Sequence, residues 1–265
     1  MYTHNLDPIF INLGLIEIRW YSLAYIFGIL IGWWHSKKLI SFYNKENNFN
    51  FKDDDFNDLV TYLILAIIIG GRLGYVIFYD LSYYLDNLLE IFKIWKGGMS
   101  FHGGLIGVIL GTLIFSNKNN LNYRVYFDTI SVVAPIGIFL GRISNFINSE
   151  LYGTPTQKPW GIVFPNVDSL KRHPSQIYEA LLEGIVLFII LNFLVFNKKN
   201  KFGFISCIFL ILYGFFRIIC EQYREPDEHI GYLLNHLSVG TVLSLCMILF
   251  GTLFLLKVHY EKKTR

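Results

Sequence analysis

Long apolar runs alternate along the chain with short polar, turn-rich breaks. A helix that crosses a bilayer needs about 20 mostly apolar residues. Stretches of that kind lie at roughly 17–36, 58–79, 97–116, 125–143, 174–196, 202–221 and 235–257, which predicts about seven spans. The breaks Asn44 to Asp55, Ser116 to Asn122 and Asn197 to Lys201 read as connecting loops. Ser144 to His173 is the longest break, and it contains Pro155, Pro159 and Pro165 with several glycines. It is too polar to span and predicts an ordered extramembrane loop at about 144–173. No repeat of about 20–50 residues is visible. The pattern therefore predicts an all-α, polytopic integral membrane protein, with residues 1–265 forming a single membrane-embedded domain.

Composition supports this class. Of 265 residues, 53% are hydrophobic and 16% charged, with a mean hydropathy of +0.42. Soluble domains carry nearer a quarter charged residues. A net charge of +3 is too small for a nucleic-acid surface, and no nucleic-acid partner is expected. Cys207, Cys220 and Cys246 all sit in apolar stretches without a C-x-x-C pair or histidines at ligand spacing, so they read as packing residues. The first apolar run follows Tyr2-Thr3-His4-Asn5 and is long enough to span, so it is expected to remain in the mature protein.

Basic residues set the expected orientation. Of the 23 lysines and arginines, thirteen fall in the loops after spans 1, 3, 5 and 7, and seven on the other side. This bias places the N-terminus outside and the C-terminus in the cytoplasm.

Arg72, Arg142 and Arg217 remain, inside the predicted spans. Each costs about 2.5–3.5 kcal/mol at a helix centre on insertion scales. For any one of them, snorkelling or a structural ion pair is as good an account as function. Their positions together say more. With the inferred topology, Arg72, His102, Arg142, Asn145, Glu150, Arg217 and Glu221 all fall at the outer level, and Tyr21, Gln176 and Glu179 join them. Arg142 and Asn145 are three apart and can share a helix face. Tyr213, Arg217, Glu221 and Arg224 step along one stripe, and Arg217 can pair with Glu221. Nearby glycines serve either close helix packing or backbone approach to a ligand. Clustered guanidinium groups suit an anion, and phosphate binds them bidentately. A phosphate at that depth is most simply a lipid headgroup.

The run Gly141-Arg142-Ile143-Ser144-Asn145-Phe146-Ile147-Asn148-Ser149-Glu150, followed by Gly153, resembles the signature of the prolipoprotein diacylglyceryl transferase family. Further blocks resemble that family in the same order. They are Arg19-Trp20-Tyr21, Gly70-Gly71-Arg72-Leu73-Gly74-Tyr75, Gly98-Met99-Ser100-Phe101-His102-Gly103-Gly104 and His173-Pro174-Ser175-Gln176-Ile177-Tyr178-Glu179. The last are Tyr213-Gly214-Phe215-Phe216-Arg217, Glu221 and Arg224-Glu225-Pro226-Asp227. Together they cover roughly residues 19 to 230.

The resemblance implies a seven-span enzyme of the bacterial inner membrane with its site toward the outer leaflet. Its donor would be phosphatidylglycerol and its acceptor the lipobox cysteine of a prolipoprotein signal peptide, with glycerol 1-phosphate released. Neither metal nor organic cofactor is expected. Arg142 and Arg217 are expected to hold the headgroup and stabilise the leaving phosphate, helped by Asn145 and Gly153, with Arg72 as a further member. Glu150 and Glu221 are expected to orient arginines. His102 is the prime candidate for general base, or else a helix-start histidine bonded to backbone. Tyr21 and Tyr213 either hydrogen-bond in the site or belong to the aromatic belt.

Rival classes are weaker. A transporter would place its charges nearer mid-depth, often with paired broken helices. A metal-dependent phosphatidyltransferase needs a carboxylate cluster, and Asp53-Asp54-Asp55 lies on the cytoplasmic side, where it reads as a solvated helix start. A structural scaffold leaves the convergent polar groups unexplained.

Overall fold

A computed structural model of the chain describes residues 2–14, 17–47, 51–78, 80–197, 201–226, 232–233 and 237–260. The side chains of Phe101 and His102 lie outside that description, as does Asp227. The fold is built on long helices: α1 (Trp20–Asn47), α2 (Asp53–Phe78), the short α3 (Leu81–Asp86), α4 (Phe101–Lys118) and α5 (Tyr123–Ile147). After the loop come α6 (Ser175–Glu179), a π-helical stretch (Ala180–Val186) and α7 (Leu187–Asn197), then α8 (Phe204–Glu221) and α9 (Val239–Tyr260).

Five helices among the described residues are long and apolar enough to cross a membrane: Asp54–Phe78, Tyr123–Ile147, Ser175–Phe196, Phe204–Glu221 and Gly240–Tyr260. Each predicted span coincides with a helix, but α4 is shorter, apolar over Gly103–Lys118, and α1 falls outside the five. The chain is a multi-pass membrane protein. Some predicted starts move. Residues 17–19 form a strand rather than helix. Gly97 and Gly98 have φ of +85° and +81°, a left-handed backbone that keeps them out of α4.

Two compact units are present, one of Met1–Lys38 with Asp128–Arg265, the other Leu39–Phe127. In the second, α2 and α4 pack backbone to backbone. A Cβ on Gly70 would strike the Gly103 carbonyl, and one on Gly107 the Ala66 carbonyl. Small residues make this approach possible where lipid supplies no hydrophobic drive between helices.

In the first unit, β1 (Tyr2–Thr3), β4 (Ile162–Val163) and β5 (Lys171–Arg172) form a three-stranded sheet, with β1 parallel and β5 antiparallel to β4. β2 (Ile9–Asn12) pairs with β3 (Glu17–Arg19). The predicted extramembrane loop is thus ordered by strands and by Arg172. That guanidinium donates to Asp168 at 2.7 Å, to the Gly153 carbonyl at 3.0 Å and to Glu225 at 3.0 Å. The bonds from Arg172 hold the Asp168 carboxyl below the ordinary carboxylate range. At the other end of the unit, buried Asp128 on α5 accepts from the Gly203 and Ser206 amides at 2.7 and 2.8 Å, capping α8 from a neighbouring helix. His35 of α1 meets Asn192 of α7 at 2.6 Å.

Candidate active site

Arg142 stands five residues before the end of α5, and Arg217 stands one turn before the end of α8. Neither snorkels. Their side chains are 16% and 11% exposed, and both are held by carboxylates that are 0% exposed. Arg142 Nε lies 3.0 Å from Glu179 Oε2, and its Nη2 donates to Glu183 Oε2 at 3.3 Å. Arg217 Nη1 donates to Glu179 Oε1 at 2.8 Å and to Glu183 Oε1 at 3.5 Å. The two glutamates therefore bridge two arginines from different helices. Arg224 Nη1 also reaches Glu179 Oε1, at 3.5 Å.

Glu179 closes α6 and Glu183 lies in the π-helical stretch that follows. There Gly184 comes so close to α5 that a Cβ on it would sit 2.7 Å from the Phe139 Cβ. π-Turns are rare and tend to occur at functional sites. Here the turn lies where both carboxylates meet the arginines.

Glu221 pairs with Arg217 Nη2 one turn away, as its spacing predicts, and its second oxygen accepts from Ser238 Oγ at 2.6 Å. Ser238 in turn accepts from the Thr241 amide at the start of α9. Glu221 thus orients Arg217 and fixes the α8–α9 junction. Tyr213, one turn before Arg217, interacts electrostatically with Glu183, Arg142 and Arg217.

A second chain of bonds runs beside the first. Asn145, 4% exposed, donates to the Tyr21 hydroxyl at 2.8 Å and to Glu150 Oε2 at 3.3 Å. Tyr21 is therefore bonded within the site. Glu150, expected to orient an arginine, instead accepts from Asn145 and Asn148. It sits between Ser149 and Leu151, which have φ of +57° and +54°. Such left-handed non-glycine residues are strained, and neighbours hold this turn in place. Gln176 Nε2 donates to the Glu150 carbonyl at 2.6 Å, and Ser175 Oγ to the Leu151 carbonyl at 2.9 Å.

Two expected members have other work. All five N–H groups of Arg72 point at backbone carbonyls, those of Glu90, Ile91, Lys93, Gly97 and Gly98, at 2.5 to 3.5 Å. Arg72 ties down the segment leading to Ser100, which caps α4 by accepting from the Gly103 amide. It is a structural residue of its own unit rather than a free cation for a headgroup. Gly153 likewise offers no N–H to a ligand, because its amide donates to the His173 carbonyl at 3.0 Å. A Cβ there would hit the carbonyl oxygens of His173 and Tyr223, so its glycine serves backbone approach. His102 is the second residue of α4; its side chain lies outside the described residues.

Glu183 is the participant that sequence reading passed over. Its signal was an acidic residue inside the apolar run 174–196, four residues after Glu179.

The site offers fixed guanidinium groups, buried and pre-aligned by carboxylates, next to a hydrogen-bonded Tyr–Asn pair. Such an arrangement can hold a phosphate and stabilise charge that grows on it. Among the described residues no group of three or more His, Cys, Asp or Glu side chains is arranged to hold a metal ion.

Comparison with known proteins adds a family. The family model for prolipoprotein diacylglyceryl transferase matches residues 8–257. A relative from Rickettsia felis, named phosphatidylglycerol–prolipoprotein diacylglyceryl transferase, is 46% identical over 250 residues, covering 94% of this chain and 95% of its own. Relatives of the same name occur in Rickettsia typhi, 46% identical with 98% and 99% covered, and in Nitratidesulfovibrio vulgaris, 44% identical with 98% and 97% covered.

Proposed function

The chain belongs to the prolipoprotein diacylglyceryl transferase family, and from that premise we propose that it transfers the diacylglyceryl group of phosphatidylglycerol to the thiol of a prolipoprotein lipobox cysteine. Glycerol 1-phosphate leaves, and the product is a thioether, the first step of bacterial lipoprotein maturation. The observation that carries the reading is the buried Arg142–Arg217 pair, bridged by Glu179 and Glu183.

The chemistry asks for little else. A cysteine thiol of pKa about 8.5 becomes nucleophilic as its thiolate. The thiolate attacks the glyceryl carbon that bears the phosphate ester. The S–C bond forms, the C–O bond breaks, and charge gathers on the departing phosphate oxygens. Arg142 and Arg217 are assigned to that phosphate, with their orientation set in advance by carboxylates. Preorganised cations in a low-dielectric site stabilise such charge more than cations in water can. Asn145, with Tyr21 and Glu150, positions the headgroup, and Tyr213 stands beside both arginines. Glu221 steadies Arg217, and Gly153 shapes the turn beneath. His102 is assigned the thiol proton, its unperturbed pKa of about 6.5 suiting a base near neutrality. Arg72 contributes by fixing the start of α4. No metal or cofactor enters this scheme.

All seven helices that match the apolar runs are read as spans of one transferase domain in the inner membrane. The N-terminus and the loop at about 144–173 lie outside, and the arginines face the outer leaflet. The basic bias of the loops supports this orientation. Both substrates are membrane-embedded, which favours lateral entry.

The test uses purified protein in phosphatidylglycerol liposomes with a lipobox peptide and EDTA present. Mass spectrometry is expected to find a diacylglyceryl adduct on the peptide cysteine with the native protein and none with Arg142→Ala. No adduct from folded native protein would overturn the reading, and a lipid or anion transport assay would then decide for the rival.

A further inference from the structure

The arginine site already contains its own anions. Three guanidinium groups (Arg142, Arg217 and Arg224) face three carboxylates (Glu179, Glu183 and Glu221) among the described residues, each side chain 16% exposed or less. Among the described residues the formal charges of these six side chains cancel before any ligand arrives. A phosphodiester brings one further negative charge into a place with little water to screen it, and like charges there repel strongly.

We propose that Glu183 takes up one proton from water when the lipid headgroup binds, so that a carboxylate charge is exchanged for a phosphate charge. The inference rests on the lipid-phosphate reading of this site.

Contact geometry singles out Glu183. Glu221 is in the tightest ion pair of the cluster and also accepts from Ser238 at 2.6 Å. Glu179 lies 2.8 Å from Arg217, 3.0 Å from Arg142 and 3.5 Å from Arg224. Glu183 has the longest contacts of the three, 3.3 Å to Arg142 and 3.5 Å to Arg217. Its charge is the least firmly held. The groups that face it are Arg142 from α5, Tyr213, Arg217 and Cys220 from α8, and Glu179 from its own helix. A neighbouring carboxylate and an anionic headgroup both favour the neutral form. Once protonated, Glu183 also becomes an O–H donor, and a carboxyl donor can bond a phosphate oxygen where a carboxylate cannot.

Isothermal titration of the purified protein with short-chain phosphatidylglycerol, without peptide, in buffers of different ionisation enthalpy counts the protons exchanged. About one proton taken up by the native protein is expected, and none by Glu183→Gln at whatever affinity that variant shows. Affinity of the native protein should fall by up to about tenfold per pH unit as the free site ionises, and the variant should be flat. Infrared difference spectra of the native protein alone give a second reading: a protonated carboxyl band should appear on lipid addition. Binding by the native protein without proton uptake, or uptake unchanged in Glu183→Gln, overturns the proposal. A transfer assay on the same preparation separates this from failure of the functional reading, since active protein without proton uptake refutes only Glu183.

Discussion

The Asn145 side chain donates to the Tyr21 hydroxyl at 2.8 Å, joining the last turn of α5 to the first turn of α1. The same nitrogen reaches Glu150 at 3.3 Å, so one amide gathers a tyrosine and a carboxylate beside Arg142. Removing the hydroxyl leaves a buried N–H short of an acceptor, which costs about 1–3 kcal/mol. Tyr21→Phe is therefore expected to lower thermal stability by about that amount and, with Asn145 no longer held, to lower kcat/KM about tenfold or more. Initial rates of peptide lipidation check this, and a variant at native rate would return Tyr21 to the aromatic belt.

Arg142 meets Glu179 through Nε and Glu183 through Nη2, while Arg217 meets both glutamates through Nη1 and turns its Nη2 to Glu221. Lysine keeps the charge but not the fork of nitrogens. Arg142→Lys and Arg217→Lys should both fall about 100-fold or more in kcat, the scale of losing one preorganised donor to developing charge. Single-turnover assays at saturating phosphatidylglycerol separate this from weaker lipid binding. Retention of most activity by either lysine variant would mean that charge alone suffices.

Arg72 should behave differently. Its five donors hold five carbonyls ahead of α4. A lysine ammonium has three donors at one point and cannot span them. Arg72→Lys is expected to destabilise the protein by about 2–3 kcal/mol. Its activity at low temperature should recover further than that of Arg142→Lys. Thermal unfolding followed together with activity distinguishes the two arginines.

The helices were legible because apolar runs of spanning length admit few other structures. Tyr213, Arg217 and Glu221 were legible because their spacing is local, and the Arg217–Glu221 pair follows from it. What local spacing cannot show is a partner brought in by the fold. Arg142 meets Glu183 across 41 residues and Arg217 meets Glu179 across 38, through a π-turn that leaves no simple mark in the sequence. Arg72 and Gly153 sit within recognisable motifs, yet a motif does not tell a ligand contact from backbone packing. Only the carbonyls around them do.

His4 supplies a pH dependence outside the membrane. It is 4% exposed, packs edge-on against Phe146 at 5.1 Å and meets Ser149 at 3.1 Å. Burial pushes its pKa below the ordinary histidine value, partly opposed by a backbone bond to Phe146. With the folded pKa lowered, the unfolded chain binds the proton first as pH falls. The resulting stability is complete above about pH 6.5 and is lost as pH drops below it. His4→Gln should flatten that acid-side loss in thermal unfolding measured from neutral to mildly acidic pH. An unchanged slope would move the effect to His173, whose pKa burial also lowers, helped by Lys158.

Gly153 offers the sharpest steric test. Its amide and carbonyl are both engaged, by His173 and Arg172, and it forms a bridge with Arg224. The atoms that a Cβ would strike are mostly backbone, which cannot rotate away as a side chain end can. Its φ is not left-handed, so the demand is for space rather than for conformation. Gly153→Ala must therefore push the loop strand away from His173 and Tyr223. That movement would pull Arg224 from Glu179 and loosen the α6 grip on Glu150. Overpacking of this kind costs about 1–3 kcal/mol. The expected result is a large loss of activity with a smaller loss of stability, because the strain falls beside Arg224 rather than in the helix core. Increased protease cleavage within 150–173 should accompany it, read by mass spectrometry of limited digests. An alanine variant with native activity and native digestion would show that the loop can yield, and that Gly153 does not shape the site.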